Sequence, residues 1–272
     1  MQSPPSAKVF VEGRYKKLCR DLPQTVFFCP DCKGHPRRRK GCARCEGFGK
    51  LTRDSVQELI GWVLGGALKT RKNKFHGAGR EDVNVRMLGT GRPFVMEFLG
   101  PKVFDIDLAA VEAEINRRNE GRLEVHGLHW TEKGRVRIVK EEKHAKEYRA
   151  AVKVERDIEP AKATALVGKR LTIVQHTPER VAHRRADLDR ERWIEVLSVE
   201  KTGELVYDVV LRTEHGTYVK EAISGENGST RPSLAELFGV PCECLELDVT
   251  AILDEGGKRE NEFGAEIVVR EP

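Results

Sequence analysis

Two Cys-x-x-Cys pairs, Cys29/Cys32 and Cys42/Cys45, lie nine residues apart and constrain this chain more than any other feature. Each pair can set two thiolates on one side of a tight turn, and two such turns complete a tetrahedral zinc site. The runs Cys29-Pro-Asp-Cys32-Lys-Gly and Cys42-Ala-Arg-Cys45-Glu-Gly both place glycine where the backbone must turn sharply. A redox dithiol or an iron–sulfur cluster would leave those paired glycines unexplained. Four cysteine ligands leave zinc no open position, so the expected zinc is structural and implies no catalytic role. The expected zinc knuckle spans residues 28–50. Arg37, Arg38, Arg39 and Lys40 stand between the pairs, so the loop would present a rigid basic cluster to phosphate.

The other three cysteines, Cys19, Cys242 and Cys244, read as core thiols, since a chain without a secretion signal needs no disulfide framework. No apolar run approaches the ~20 residues that span a membrane. The start, Met1 to Val11, lacks the pattern of a signal peptide, and the expected location is the cytoplasm. Net charge is +5 over 272 residues, but it is unevenly spread. The first 80 residues hold 18 Lys/Arg against 6 Asp/Glu, and the remaining 192 hold 30 against 37. A basic first part beside an acidic remainder points to a polyanionic partner. Aromatics are only 6% of residues, which argues against indiscriminate stacking along single strands.

Residues 1–13 read as a tail, because Ser3, Pro4, Pro5 and Ser6 resist regular structure. Ser55 and Glu58 form a capping-box signature, followed by Val56, Leu59, Ile60, Val63, Leu64, Ala67 and Leu68 at helical spacing. A glycine-rich turn is expected at 76–79. A hairpin follows, with Val83, Val85 and Met87 alternating, a turn at Gly89-Thr90-Gly91, and Phe94, Met96 and Phe98 alternating again. Leu108, Val111 and Ile115 predict a helix over 107–119 with Gly121 as its cap. The second half is rich in strands: Tyr148, Ala150, Val152 and Val154 alternate, as do Leu171 and Ile173. Residues 193–199 and 205–212 flank a connection at 201–204. Ser233, Glu236 and Gly239 bracket a short helix. Hairpins with scattered helices give an α+β fold with a mixed, largely antiparallel sheet.

Taken bare, Asp82 in Gly79-Arg80-Glu81-Asp82 is as readily a turn cap or a partner of Arg80 as a reactive carboxylate. The nearby glycines do not form a phosphate-binding P-loop, which needs Gly-Lys-Ser/Thr. Yet Gly79-Arg-Glu-Asp82 followed by Val-Asn-Val-Arg-Met-Leu-Gly-Thr-Gly-Arg-Pro-Phe94 resembles the catalytic motif of the archaeal and eukaryotic synthases that make pseudouridine 54 and 55 in tRNA. The resemblance runs through Gly13-Arg-Tyr-Lys-Lys-Leu18, Leu22-Pro-Gln-Thr25 and the cysteine module. It continues at Lys146-Glu-Tyr148, at residues 175–187, and at Gly216-Thr-Tyr-Val-Lys-Glu221.

That family implies one catalytic domain over residues 1–272 with the knuckle inserted, its sheet in two halves around a central cleft, and no organic cofactor. It implies Asp82 as the catalytic carboxylate, attacking the ribose or removing a ribose proton. Lys220 and Arg80 are implied as supporting cations. Tyr148 and Tyr218 are the implied substrate-binding aromatics. Asn84 stands where many relatives have a second Asp, which leaves Asp82 alone in the catalytic place, because Glu81 should face the other side of an extended segment. The alternative for Lys220 is a surface lysine at the start of a helix, and for Tyr148 an inward-facing strand residue. Arg180, Arg184 and Arg185, in a run that also holds His183, Arg190 and Arg192, read as phosphate contacts rather than a solvated loop.

Relatives carry a separate RNA-binding region ahead of the catalytic domain, for which this chain has no room. A short form or a truncation is therefore expected, with a separate RNA-binding partner supplying the function. The expected substrate is the T arm of tRNA, at uridine 55 first and uridine 54 second. The rival readings are a non-catalytic RNA-binding module and a zinc ribbon contacting other proteins. Phosphate binding has no use for Asp82, Tyr148 and Lys220 together, and a ribbon explains nothing beyond residue 50.

Overall fold

Residues Lys8–Lys17 form strand β1, in the middle of a sheet, where a tail was expected. Val9, Phe10 and Val11 outweigh the prolines before them, because burial on both faces rewards a β-branched and aromatic run. The computed structural model describes residues 7–182 and 186–253, with the backbone of 259–260 and 266–267. Two compact units divide the chain, Met1–Glu142 and Lys143–Pro272. Among the described residues, no helix is long and apolar enough to cross a membrane.

In the first unit, a one-turn helix α1 (Pro36–Arg39) lies inside the knuckle. Helix α2 (Val56–Ala67) starts where the Ser55 hydroxyl accepts the Glu58 N–H, and it buries Val56, Leu59, Ile60 and Leu64. Strand β2 (Asn73–Gly77) takes up the first half of the expected glycine-rich turn. Strand β3 runs unbroken from Arg86 to Leu99, so the expected hairpin over 83–98 is not formed. Instead β3 lies antiparallel to β1 with a break in register, from Tyr15↔Arg92 to Lys17↔Met87. Gly89-Thr90-Gly91 is the bulge that absorbs the extra residues, not a turn. Arg14 holds it there, donating from Nε to the Thr90 carbonyl at 2.9 Å. A side chain at Gly91 would come within 2.8 Å of the Tyr15 carbonyl, and its φ is +75°, so glycine is required for both space and conformation.

Helix α3 (Leu108–Arg118) is capped by Asp107 and ends at Asn119 rather than at Gly121. Strand β4 (Leu123–Thr131) pairs with the outer edge of β1, and helix α4 (Lys133–Glu141) follows. The sheet order is β4-β1-β3, with β2 on the far side of β3. Arg135 of α4 binds both carboxylate oxygens of the buried Glu12 on β1, at 2.6 and 2.9 Å.

The second unit is built on β5 (Lys146–Val154), α5 (Pro160–Leu166), β6 (Arg170–Gln175), α6 (Glu179–Ala182), β7 (Arg190–Gly203) and β8 (Val206–Thr213). After these come α7 (Val219–Ser224), β9 (Thr230–Arg231), α8 (Leu234–Phe238) and β10 (Cys242–Ile252). Its strand order is β10-β5-β8-β7-β6-β9. The strand pairings are antiparallel, and one isolated parallel bridge joins Val167 to Val196. Ala150, Val152, Val154, Val196, Val209 and Leu211 fill the buried face. The β7–β8 connection is tighter than the expected 201–204: Glu204 and Leu205 alone make the turn, Leu205 at φ 55°. Helix α8 has the full capping box of Ser233 and Glu236, and Gly239 closes it at φ 72°. Of the three expected core thiols only Cys242 is buried, which pushes it up to about 11. Cys19 and Cys244 are half-buried.

Candidate functional site

The cysteine knuckle closes on itself. An isolated bridge joins Phe28 to Lys50, and Cys29 N–H donates to the Gly49 carbonyl at 3.0 Å. Each Cys-x-x-Cys is followed by two left-handed residues, Lys33-Gly34 and Glu46-Gly47, which turn the chain back so that its sulfurs converge. The four Sγ atoms lie within 4.8 Å of one another. The pairs Cys29–Cys42 and Cys32–Cys45 are both 3.7 Å apart. A tetrahedron with metal–sulfur bonds of ~2.3 Å has edges of about 3.8 Å, so the donor set fits a four-coordinate metal ion. The Gly49 N–H points at Cys45 Sγ, 3.1 Å away, as it would toward a thiolate. Arg37, Arg38 and Arg39 form α1 on the outside of this cluster, all exposed.

The Asp82 loop is held in another way. It links β2 to β3, and side chains from distant segments take its backbone carbonyls. Lys17, fully buried, donates to the carbonyls of Leu22, Asp82 and Val83 at 2.8, 2.9 and 2.9 Å. Gln24 donates to Gly79 O at 2.9 Å, and Arg92 Nη1 to Ala78 O at 2.6 Å. Val85 N–H closes a turn onto Asp82 O at 3.1 Å. Beneath the loop, Gln24 donates to the Tyr15 hydroxyl, which donates in turn to Glu81 at 2.8 Å. Arg92 Nε lies 2.8 Å from the other Glu81 oxygen, an ion pair by distance rather than by an aligned hydrogen bond. Burial, then the Glu81 charge, pushes the Tyr15 hydroxyl well above its ordinary value, so it stays a donor. Burial pulls Lys17 down to about 8, against the raising effect of Glu81.

The two neighbouring acids therefore have different fates. Glu81 is buried and fully engaged, whereas Asp82 is half-exposed. Asn84 is exposed, its carbonyl taken by Arg20 at 3.2 Å. Arg80 is exposed. The frame residues Tyr15, Lys17, Gln24 and Arg92 were quoted above only within motifs, while Glu81 was expected to face away from Asp82. For Tyr15, Lys17 and Arg92 the signal was a polar side chain at a strand position that alternation assigns to the core; Gln24 and Glu81 lie outside the strands and gave no such signal.

In the second unit, Tyr148 lies on β5 opposite Leu211 of β8 and Val249 of β10, half-buried. Lys220 is the second residue of α7, also half-buried. Gln175 binds both backbone groups of Tyr218, each at 2.9 Å, which fixes the start of α7. Arg180 grips the buried Glu221 of the same helix, Nε to Oε1 at 2.5 Å, and its guanidinium sits 5.9 Å from the Tyr218 ring centre. Arg190 donates to Thr177, Leu188 and Ala186, so it braces its own loop. Arg180 and Arg190 thus have partners inside the protein, a role that sequence reasoning did not give them. His183, Arg184 and Arg185 lie outside the described residues.

Residues 10–253 match the family model described as Pus10, C-terminal. A protein of Methanopyrus kandleri named tRNA pseudouridine synthase Pus10 is 46% identical over 256 residues, covering 92% of this chain and 57% of that protein. Another of that name, from Methanocaldococcus jannaschii, is 42% identical, covering 90% of this chain and 53% of its own length. The chain thus spans little more than half the length of these curated relatives. A solved Cbf5-Nop10-Gar1 complex is similar at 18% identity and a TM-score of 0.41, over 72% of this chain and 45% of that one. With the match running through both units and through the loop that bears Asp82, the chain belongs to the Pus10 C-terminal family.

Proposed function

We propose that this chain isomerises uridine to pseudouridine in tRNA, with Asp82 as the catalytic carboxylate. The family match over residues 10–253 carries the reading. It is supported by the contrast between a buried, fully engaged Glu81 and a half-exposed Asp82 on a rigidly held loop. Asp82 attacks C1′ of the ribose, or removes a ribose proton, as the bond from C1′ to N1 breaks. The freed uracil turns and bonds to C1′ through C5, breaking the Asp82–C1′ bond on the first route or with Asp82 returning the ribose proton on the second. The C5 proton leaves to solvent, and N1 takes one up. No oxidant or organic cofactor enters the balance.

Lys220 is the supporting cation that the family resemblance implies for the reaction. Arg80 holds the place of the extruded nucleotide. Tyr148 gives the base an aromatic face in place of the stacking it has lost, and Tyr218 is a second aromatic for the substrate. Arg37, Arg38, Arg39, Arg184 and Arg185 take phosphates, with Arg180 bracing Tyr218. The metal is zinc on Cys29, Cys32, Cys42 and Cys45, in a structural role, consistent with their sulfur spacing. The target is the T arm, at uridine 55 and then uridine 54, with affinity for whole tRNA raised by a separate RNA-binding region or partner.

The test is tritium release from C5-labelled uridine in a tRNA transcript. Wild type should release it, and Asp82→Asn should release none while binding the transcript equally. Lys220→Ala should be severely impaired, and Tyr148→Phe should outperform Tyr148→Leu. Wild-type protein that binds the transcript but releases no tritium would leave an RNA-binding module and end the enzymatic reading.

A further inference from the structure

Helix α2 carries a tryptophan where an amphipathic helix needs none. Trp62 and Gly66 lie four residues apart on its exposed side, Trp62 is 56% exposed, and the exposed Lys69 stands just past the helix end with φ 51°. Beside them runs a groove of about 780 Å³, walled by α2 on one side and by the segment from Thr70 to Asn73 on the other. Two buried glycines let the walls approach. A side chain at Gly65 would come within 2.6 Å of the Thr70 carbonyl, and one at Gly61 within 2.9 Å of the Asn73 amide. At Gly66 an added side chain would meet nothing, so the backbone there lies bare next to the indole. A single exposed apolar residue is ordinary, but a concave site of this size with an aromatic wall is the usual form of a ligand pocket.

Charge selects the occupant. Lys69 and Arg71 line the groove, both exposed, and Glu58 is the one acid among the lining residues. Lys50 holds that carboxylate at 2.7 Å, cancelling its charge. An aromatic face, a flat bare backbone and two exposed cations match an unpaired nucleotide, whose base stacks and whose phosphate is anionic. An apolar peptide would leave the cations unused. We infer that the α2 groove binds an unpaired nucleotide of the RNA, outside the catalytic pocket. The base lies on Trp62 over Gly66, and the phosphate lies between Lys69 and Arg71. The inference rests on the RNA substrate of the proposed function, not on its chemistry.

The experiment measures binding of the whole chain to a labelled tRNA transcript and to a short oligouridylate, across a salt series. Trp62→Ala should weaken binding roughly five- to a hundredfold, the loss of one stacked base, and Trp62→Phe should recover most of it. Lys69→Ala with Arg71→Ala should lower the slope of log affinity against log salt by roughly one to two. Oligouridylate should quench the tryptophan fluorescence of wild type and far less that of Trp62→Phe. Thermal melts should be unchanged, since Trp62 and both cations are exposed. Equal affinities and slopes for wild type and variants would overturn the inference, as would wild type that binds neither RNA. A change in oligomeric state on Trp62→Ala, with RNA binding untouched, would assign the groove to a protein contact and overturn it too. Binding that depends on Trp62 but brings no tritium release would uphold the groove and sink only the enzymatic reading.

Discussion

The cysteine knuckle and the Asp82 loop belong to the same unit, and each must present an irregular backbone rigidly, yet they reach that rigidity by different routes. The knuckle is held from within. Its sulfurs, its left-handed Lys33-Gly34 and Glu46-Gly47 corners and its own bridge from Phe28 to Lys50 all lie inside 23 residues. The Asp82 loop is held from outside, by Lys17, Gln24 and Arg92, which are 65, 55 and 14 residues from the carbonyls they bind. A locally held loop can be lost without disturbing its surroundings. One clamped by core side chains shares the fate of the core. The catalytic role proposed for Asp82 would gain from the second arrangement, because a carboxylate positioned by buried groups cannot drift as solvent fluctuates.

The sharpest break in this contrast is metal removal. Cys32→Ser with Cys45→Ser, or a strong chelator, should release one zinc per chain and strip the knuckle of about 10 kcal/mol of local stabilisation. Hydrogen exchange should then rise over residues 28–50 and stay unchanged at 78–85. Metal analysis that finds iron, or none, would refute the zinc assignment. Exchange that rises in both loops would refute their independence.

Lys17→Met should do the reverse. It strands the buried carbonyl of Leu22 and the part-buried ones of Asp82 and Val83, and leaves Glu81 short of positive charge, at a cost of about 3–5 kcal/mol. The urea midpoint should fall accordingly, and the turnover rate should fall more than RNA affinity, while the zinc content holds. A variant with native stability and turnover would show that Lys17 does not clamp the loop.

Tyr15→Phe is a finer probe. It removes the hydroxyl that relays Gln24 to Glu81 and should cost about 1–3 kcal/mol. Activity should decline through kcat with KM nearly constant. A change in KM alone would place Tyr15 in binding rather than in positioning.

The smallest effect concerns acid. Asp54 is held below its ordinary 3.8, first by its hydrogen bonds to Arg122. A lowered carboxylate contributes stability that is present above the unfolded value and lost as pH falls through the folded one. Arg122→Met should therefore lower the melting temperature slightly at neutral pH and flatten its decline below pH 3.8. The same decline in both proteins would mean the pair contributes nothing.

How much could be read without the structure follows the same divide. The knuckle, α2 and α8 with their serine caps, and the β5 and β7–β8 strands were visible because each is specified by neighbours in sequence. The misreadings share one cause. Val83 to Met96 alternates as a hairpin would, but β1 and β2 compete for the segment from both sides and keep it a single strand, so Gly89-Thr90-Gly91 bulges instead of turning. Residues 8–13 looked like a tail because local proline content was weighed and burial could not be.

From its residues alone the chain determined its four-cysteine cluster, its caps and, through long motifs in fixed order, its family and the identity of Asp82 as the carboxylate to test. These are properties of spacing and residue type, which a linear string records. Only the tertiary structure decided that Glu81 is sealed beneath Asp82, that Lys17 is a buried clamp, that Arg180 and Arg190 are occupied internally, and that Trp62 faces a groove. Those outcomes depend on which distant segments pack together, because desolvation and the matching of buried donors with acceptors are settled by neighbours in space.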